Sequence, residues 1–223
     1  MNESLKRWLK AFVILLIIVL IFSLYLFLRR GYFNIYIINK VFGSTAVVLA
    51  GITLLIGPLR RIPFMVSLMA LRRQLGLLAF GTALLHVFFS LFQTGRFTWF
   101  SWYFKEWIPV TFGILAIVAW GFMTYISRNS KIQELGADVW KKRLSIAGKI
   151  GFLAVFLHVV VMKYPGWIRW FQGQVKQTPE LANPSYPPAS IFVFLFMCIV
   201  ILYRVFVYFK QSKKGNSREQ NSG

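Results

Sequence analysis

The chain contains two histidines, His86 and His158, and each lies well inside an apolar stretch. A titratable side chain within a hydrophobic segment is energetically costly, so a functional role is the first hypothesis for it. A neutral imidazole nitrogen is a good iron ligand, and two imidazoles that project from neighbouring helices can hold a haem. The two histidines therefore predict a haem or metal site with His86 and His158 as its ligands.

The depth of the two histidines within their apolar stretches can be compared by counting from the basic residues that precede them. His86 follows Arg73 by 13 residues and His158 follows Arg143 by 15 residues. At 1.5 Å per helical residue these separations are about 20 Å and about 22 Å. If the two helices run in the same direction, both imidazoles lie at nearly the same level, in the outer half of the membrane.

Small side chains accompany both histidines. Within two or three turns they are Gly76, Ala79, Thr82 and Ala83 before His86, and Ala147, Gly148, Gly151 and Ala154 before His158. They leave room for a porphyrin, but small residues in membrane helices also serve close helix packing, and a lone histidine often only hydrogen-bonds a neighbouring helix. A metal ion held by the two histidines alone is disfavoured, because zinc and copper sites need three or four ligands.

The elements that must position these histidines are membrane helices. The 223 residues are 57% hydrophobic and 18% aromatic, and a membrane-spanning helix needs about 20 mostly apolar residues. Six stretches qualify: Phe12–Phe27, Val41–Leu59, Leu75–Phe92, Ile108–Ile126, Leu144–Met162 and Ile191–Tyr208. The fold class predicted is all-α, a polytopic membrane protein with six transmembrane helices in one bundle.

The charge distribution predicts the orientation of the bundle. Lysine and arginine total 26 against six acidic residues, and the basic residues fall in short loops between apolar stretches, not on one continuous face, which argues against a nucleic-acid partner. The positive-inside rule places both termini in the cytoplasm of a multi-pass protein of the cell (inner) membrane, in contact with lipid. Residues 1–210 form the transmembrane domain, and the polar residues 211–223 are predicted to be a disordered cytoplasmic tail.

Several function classes lack their required residues. The sequence has no phosphate-binding glycine motif, so a nicotinamide would bind another polypeptide. The six carboxylates fall in predicted loops and tails, which argues against a proton- or sodium-coupled transporter, and no internal repeat is evident. The single cysteine, Cys198, lies mid-span and is interpreted as a buried apolar residue.

Two sequence segments resemble a known family. GPLRR at Gly57–Arg61 and RRQLGLLAFGTALLH at Arg72–His86 resemble the ferric-reductase-like transmembrane superfamily, most closely the haem-binding membrane subunit of the bacterial periplasmic methionine sulfoxide reductase system. The likeness continues through SRNSKIQELGADVW and FLAVFLHVVVMKY and covers about residues 41–164. It implies that His86 and His158 are haem ligands in an electron-transfer subunit of an oxidoreductase.

The sequence departs from the family at two points. Where the family has a further histidine 13 residues before the later ligand, this chain has Ser145, and EWIP stands where the family has an R-P-Y motif. The first departure predicts one haem b, in the outer half, because a hydroxyl is a poor haem ligand. The second leaves the external partner open.

One outer haem leaves the inner half of the membrane without a cofactor. Six-transmembrane metalloreductases, which this arrangement resembles, place a flavin there, so FMN, FAD or a quinone is expected at the cytoplasmic side. Basic residues could hold its phosphates: Arg60, Arg61, Arg72, Arg73, Lys141, Lys142 and Arg143. Lipid headgroups and the positive-inside rule also explain them.

Basic and aromatic residues are also expected at the outer side. Lys163 and Arg169 are candidate partners of the haem propionates. The aromatic residues between Phe97 and Trp107, including Trp99, Trp102 and Tyr103, are interpreted as an interfacial belt.

The sequence thus predicts a membrane b-type cytochrome that transfers electrons from a cytoplasmic flavin reductase or quinol to an external acceptor or partner reductase. Its alternative is a haem-free scaffold, assembly factor or small-molecule carrier built on the same helical bundle. Haem content distinguishes the two.

Overall fold

The computed structural model of the chain describes residues 2–94 and 104–220. Within these residues the backbone forms eight helices. In chain order they are α1 (Glu3–Arg30), α2 (Ile35–Ile56), α3 (Pro63–Met69), α4 (Arg72–Thr94), α5 (Trp107–Ile126), α6 (Asn129–Leu135), α7 (Ala137–Phe171) and α8 (Ala189–Gln220).

Six of these helices are long and apolar enough to cross a membrane: α1, α2, α4, α5, α7 and α8. This confirms the predicted fold class, and each helix covers most of one predicted stretch. Most of the helices extend beyond the apolar runs that predicted them; α7 spans Ala137–Phe171 where Leu144–Met162 was expected. The reason is that helix propagation adds a hydrogen bond for each residue, so polar flanks continue a helix once it has started.

The outer surface of the bundle is apolar. On α1, for example, Leu16, Ile17, Leu20 and Leu24 are each more than half exposed. Such a surface is unfavourable in water, whereas in a bilayer it contacts lipid chains, and the helical backbone satisfies its own hydrogen bonds. The chain is therefore a multi-pass membrane protein.

Two helix pairs form the centre of the bundle. We call the end that carries both chain termini the terminal end, and the opposite end, where α1 finishes and α2 starts, the distal end. The most extensive helix contacts are those of α2 with α4 and of α5 with α7, while α1 and α8 pack against α2. In both pairs the first helix runs away from the distal end and the second runs towards it.

The segment between α7 and α8 is fastened to the distal end of α1. Arg29 donates a hydrogen bond from Nε to the carbonyl of Tyr186 at 2.9 Å, and Tyr25 donates its hydroxyl to the carbonyl of Pro187 at 2.6 Å. α1 ends at Gly31, whose φ of 81° is readily adopted only by glycine. Residues 172–188 therefore form an ordered cover on the distal end.

The sequence predictions leave three further parts of the chain to report: two short helices, the end of α8 and the predicted aromatic belt. The short helices α3 and α6 were not predicted, since neither is long enough to show a clear apolar period. α8 is described as far as Gln220, and the disordered tail expected over residues 211–223 stays a prediction. Trp99, Trp102 and Tyr103, assigned to the aromatic belt, lie outside the described residues.

Candidate functional site

His86 lies on α4 and contacts α2. Its Nδ1 atom is 3.0 Å from the carbonyl oxygen of Asn39. The Asn39 side chain donates a second hydrogen bond to Ser90 Oγ, one turn beyond His86, at 2.9 Å. The ring also packs on Gly43, where a Cβ atom would lie 2.9 Å from His86 Nδ1. Asn39 and Gly43 together fix the position of the imidazole against α2.

His158 lies on α7 and contacts α5 in the same manner. Its Nδ1 atom is 2.7 Å from the carbonyl oxygen of Pro109. The ring packs on Gly113, where a Cβ atom would lie 3.2 Å from His158 Nδ1. Pro109 and Gly113 are four residues apart, as are Asn39 and Gly43, so acceptor and glycine lie on the same helix face in both pairs.

The two helix pairs are thus a structural repeat. In each, a helix that starts at the distal end provides a carbonyl and, one turn later, a glycine, and the following long helix provides the histidine. The histidine follows its acceptor by 47 residues in the first pair and by 49 in the second. The sequence analysis found no repeat, because the surrounding apolar residues differ and only these three positions correspond.

The hydrogen bonds determine which imidazole nitrogen is free. A carbonyl oxygen can only accept, so Nδ1 of each ring must carry the proton. In the neutral imidazole Nε2 then has the free lone pair, and an Nδ1–H bonded to a backbone carbonyl is the usual second-shell arrangement of a metal-bound histidine. Both rings are half-buried.

This set of donors fits haem better than a bare metal ion. Among the described residues, no group of three or more histidine, cysteine, aspartate and glutamate side chains is placed to hold an ion. A haem would need only two ligand atoms from the protein, because the porphyrin itself binds the iron. His86 and His158 are the two residues that would hold it.

The small residues before the two histidines have different environments. A Cβ atom at Gly151 would lie 2.6 Å from Trp120 Cδ1 and Nε1, and one at Gly148 would lie 3.4 Å from Met123 Cε. These glycines accommodate α5 side chains, as the helix-packing interpretation expects. Before His86, Ala79, Thr82 and Ala83 are buried, whereas nothing lies within 4 Å of a Cβ atom placed at Gly76.

The remaining predicted site residues lie away from the imidazoles. Arg73 is exposed at the terminal end and donates a hydrogen bond to Asn129 Oδ1 at 2.9 Å, which links α4 to α6. Arg169 is exposed on α7, 11 residues beyond His158, or roughly 16 Å along the helix. The structure therefore holds His86 and His158 each against the first helix of its own pair and leaves Arg73 at the terminal end of α4.

Four residues of the site were missed by the sequence analysis: Asn39, Gly43, Pro109 and Gly113. A backbone carbonyl has no sequence signature, and a glycine in a membrane helix is common. One feature of the sequence could have indicated the glycines: each precedes its histidine by a similar number of residues. This similarity has a meaning only once the helix pairs are known.

Comparison of the chain with models of known protein families gives no match, and comparison with curated proteins gives none either.

Proposed function

We propose that this chain is a membrane b-type cytochrome that passes electrons from a cytoplasmic flavin or quinol donor to an external acceptor or partner reductase. The observation that supports this most directly is the repeated arrangement around His86 and His158. Each Nδ1–H is bonded to a helix carbonyl, which orients the ring and leaves Nε2 available as a ligand.

Haem b, when bound, supplies one-electron chemistry through the ferric and ferrous states of its iron. The chain's own contribution is to hold the two imidazoles in fixed orientations and to keep the site in an apolar environment. Asn39 and Pro109 set the tautomers, Gly43 and Gly113 allow close approach of the rings, and buried Ala79 and Ala83 exclude water from α4 below His86.

The proposal includes one haem, located in the distal half of the bundle. Towards the terminal end the two helix pairs pack against each other: Leu54 Cδ2 of α2 would lie 3.6 Å from a Cβ atom placed at Gly148 of α7. The proposed donor approaches from the terminal end. Under this proposal that end is cytoplasmic, in the inner membrane, and its basic residues face a flavin reductase or a quinol headgroup.

A haem-free scaffold is the second candidate, and one observation favours it. Each histidine is already hydrogen-bonded to a neighbouring helix, and such a bond by itself stabilises helix association in a membrane. In that case each histidine serves only to hydrogen-bond the two helices of its pair to each other, and neither binds a cofactor.

Substitution of the histidines separates the two functions. We expect His86→Ala and His158→Ala each to lose haem from protein purified in mild detergent, because one imidazole cannot replace two axial ligands. Leu85→Ala and Val161→Ala are matched controls, since both residues are lipid-exposed on the same two helices. Retention of haem in both histidine variants, at the level of the controls, would contradict the proposal.

A further inference from the structure

Two cationic side chains at the distal end share one tyrosine ring. The Cζ atom of Arg30, the last residue of α1, lies 5.3 Å from the centroid of the Tyr36 ring. Lys40 Nζ lies 3.9 Å from the same centroid, and Tyr36 and Lys40 both belong to the first part of α2. A ring attracts cations within about 6 Å of its centroid. Tyr36 therefore holds both charges where α1 meets α2, and we call Arg30, Tyr36 and Lys40 the distal cationic cluster.

The cluster keeps most of its hydrogen-bond donors unused. A guanidinium group has five N–H donors and an ammonium group has three. Arg30 donates one hydrogen bond to the carbonyl of Glu180 at 2.8 Å, while its Nε atom is buried and has no hydrogen-bond partner. In the part of the chain that the structure describes, the Lys40 ammonium contacts the Tyr36 ring and makes no hydrogen bond.

The cluster also lacks a carboxylate. Glu180 meets Arg30 through its backbone, and its carboxylate accepts instead from Thr178 Oγ1 at 3.3 Å. The ion pairs found among the described residues involve other side chains: Lys6–Glu3, Lys131–Glu134 and Lys141–Asp138. Two half-buried cations at one ring repel each other, so an anion from outside the chain is expected to neutralise them.

The overall charge distribution does not account for these two cations. The positive-inside rule explains the many basic residues at the terminal end, which is cytoplasmic in the predicted orientation. Arg30 and Lys40 lie at the other end. Their neighbour Arg29 has a structural role, since it is 6% exposed and donates to the carbonyl of Tyr186. Arg30 and Lys40 are left with charge that the packing of the chain does not use.

The position of the cluster indicates which anion it binds. α1 has 28 residues and is therefore about 40 Å long, longer than the roughly 30 Å hydrocarbon core, so its last residue lies at the level of the lipid headgroups. The surface beside the cluster is apolar: Leu24, Leu28 and Ile35 are each more than half exposed. An anion with acyl chains would contact this surface, and phosphate oxygens accept from both arginine and lysine.

We propose that the distal cationic cluster binds the phosphate of one anionic phospholipid between the end of α1 and the start of α2. Arg30 and Lys40 donate to the phosphate oxygens, and Tyr36 keeps the two cations together. The acyl chains lie along the exposed apolar face of α1. This site does not involve the histidines, so its existence is independent of the proposed function.

Native mass spectrometry of the delipidated full chain measures the binding. The protein in mild detergent is titrated with dioleoyl phosphatidylglycerol, with dioleoyl phosphatidylcholine and with inorganic phosphate. We expect the first phosphatidylglycerol molecule to bind about tenfold or more tightly than phosphatidylcholine, because its headgroup has a net negative charge and charge-assisted hydrogen bonds are strong. Inorganic phosphate should not displace it, because this ion has no acyl chains to contact α1.

Variants assign this lipid to the cluster. Lys40→Gln should weaken binding of the first phosphatidylglycerol molecule roughly tenfold, while Lys40→Arg should retain it. Lys176→Gln is the matched control, since it removes the same charge from an exposed position at the same end. Lys40 is a better position to test than Arg30, because Arg30 also holds the Glu180 carbonyl.

A second measurement needs no substitution and remains decisive if a variant fails to fold. Phosphatidylglycerol with a photoactivatable diazirine on its headgroup is bound to the wild-type protein and irradiated, and the cross-linked peptide is identified by mass spectrometry. We expect the cross-link within residues 24–40.

Three results would overturn the inference. Equal phosphatidylglycerol affinity in Lys40→Gln and Lys176→Gln would show that Lys40 does not bind the headgroup. A cross-link confined to the basic segments of the terminal end would place the lipid there. Displacement of the lipid by an equal concentration of inorganic phosphate would show that the cluster binds a soluble anion and not a phospholipid.

Discussion

Gly43 and Gly113 determine how closely the two imidazoles approach the helices that accept their hydrogen bonds. At Gly43 a methyl group would lie 2.9 Å from His86 Nδ1, 3.1 Å from Cε1 and 3.2 Å from Cγ. At Gly113 the corresponding shortest distance, to His158 Nδ1, is 3.2 Å. The first imidazole therefore packs more closely on its glycine than the second does, and the two glycines should differ in their tolerance of alanine.

We predict that Gly43→Ala displaces the His86 ring and weakens haem retention by about tenfold, since overpacking costs roughly 1–3 kcal/mol. Gly113→Ala should have a smaller effect. Haem-to-protein ratio after dialysis measures the loss, and low-spin electron paramagnetic resonance reports the ring orientation.

The matched control is Gly81→Ala on the same helix as His86, because nothing lies within 4 Å of a Cβ atom there. This variant should retain haem as the wild-type protein does. Equal haem loss from Gly43→Ala and Gly81→Ala would show that the glycine has no role in seating the histidine.

The sequence predicted that the two histidines belong to a site, but it did not predict which residues surround them. His86 and His158 are conspicuous because imidazole is rare in apolar stretches. Asn39 and Pro109 act through backbone carbonyls, which every residue has, so their role depends on which helices pair.

At the scale of helices, α5 and α7 interlock through a side chain and a glycine. The indole of Trp120 occupies the space at Gly151, where a Cβ atom would be 2.6 Å from the ring. Trp120 lies away from the ends of both helices, and the residue is 7% exposed. Its ring therefore has little freedom to move.

Gly151→Ala should destabilise this helix pair by roughly 1–3 kcal/mol. The measurement is unfolding of the detergent-solubilised protein, by heat or by increasing sodium dodecyl sulfate. Gly166→Ala, on the same helix with nothing within 4 Å, should be neutral. If the two variants unfold at the same temperature or the same detergent concentration, the Trp120 contact does not stabilise the helix pair.

The cover formed by residues 172–188 depends on Arg29. Replacing Arg29 by alanine leaves the Tyr186 carbonyl without its donor, and breaking a buried charged hydrogen bond costs about 1–3 kcal/mol. We expect proteinase K to cleave this segment several-fold faster in Arg29→Ala than in the wild-type protein. Arg169→Ala, at an exposed position near the same end, is the control, and an unchanged cleavage rate in Arg29→Ala would refute the role of this contact.

The long helices were predictable because about 20 apolar residues have few other structures available in a membrane. Their ends were not, since caps such as the Asn34 side chain, which accepts from the amide of Ile37, move the start of α2 to Ile35 ahead of the apolar run. The pairing of α2 with α4 and of α5 with α7 was also not predicted, because helix pairing depends on surface shape.

For the whole molecule, six crossings place both termini on one side, and the basic residues predict that this side is cytoplasmic. Cysteine labelling checks the orientation in a Cys198→Ala background, since Cys198 is the single native cysteine. A membrane-impermeant maleimide applied to intact cells without an outer membrane should label Lys176→Cys and not Ser130→Cys. The reverse pattern would invert the proposed direction of electron transfer.

The proposed function requires His86 and His158 to bind one haem b between the two helix pairs. Its most direct test is the reduced-minus-oxidised absorption spectrum of the purified wild-type protein, taken with the haem-to-protein ratio. We expect a b-type spectrum and one haem per chain. Protein that contains no haem after expression with an ample haem supply would contradict the claim and favour the structural scaffold.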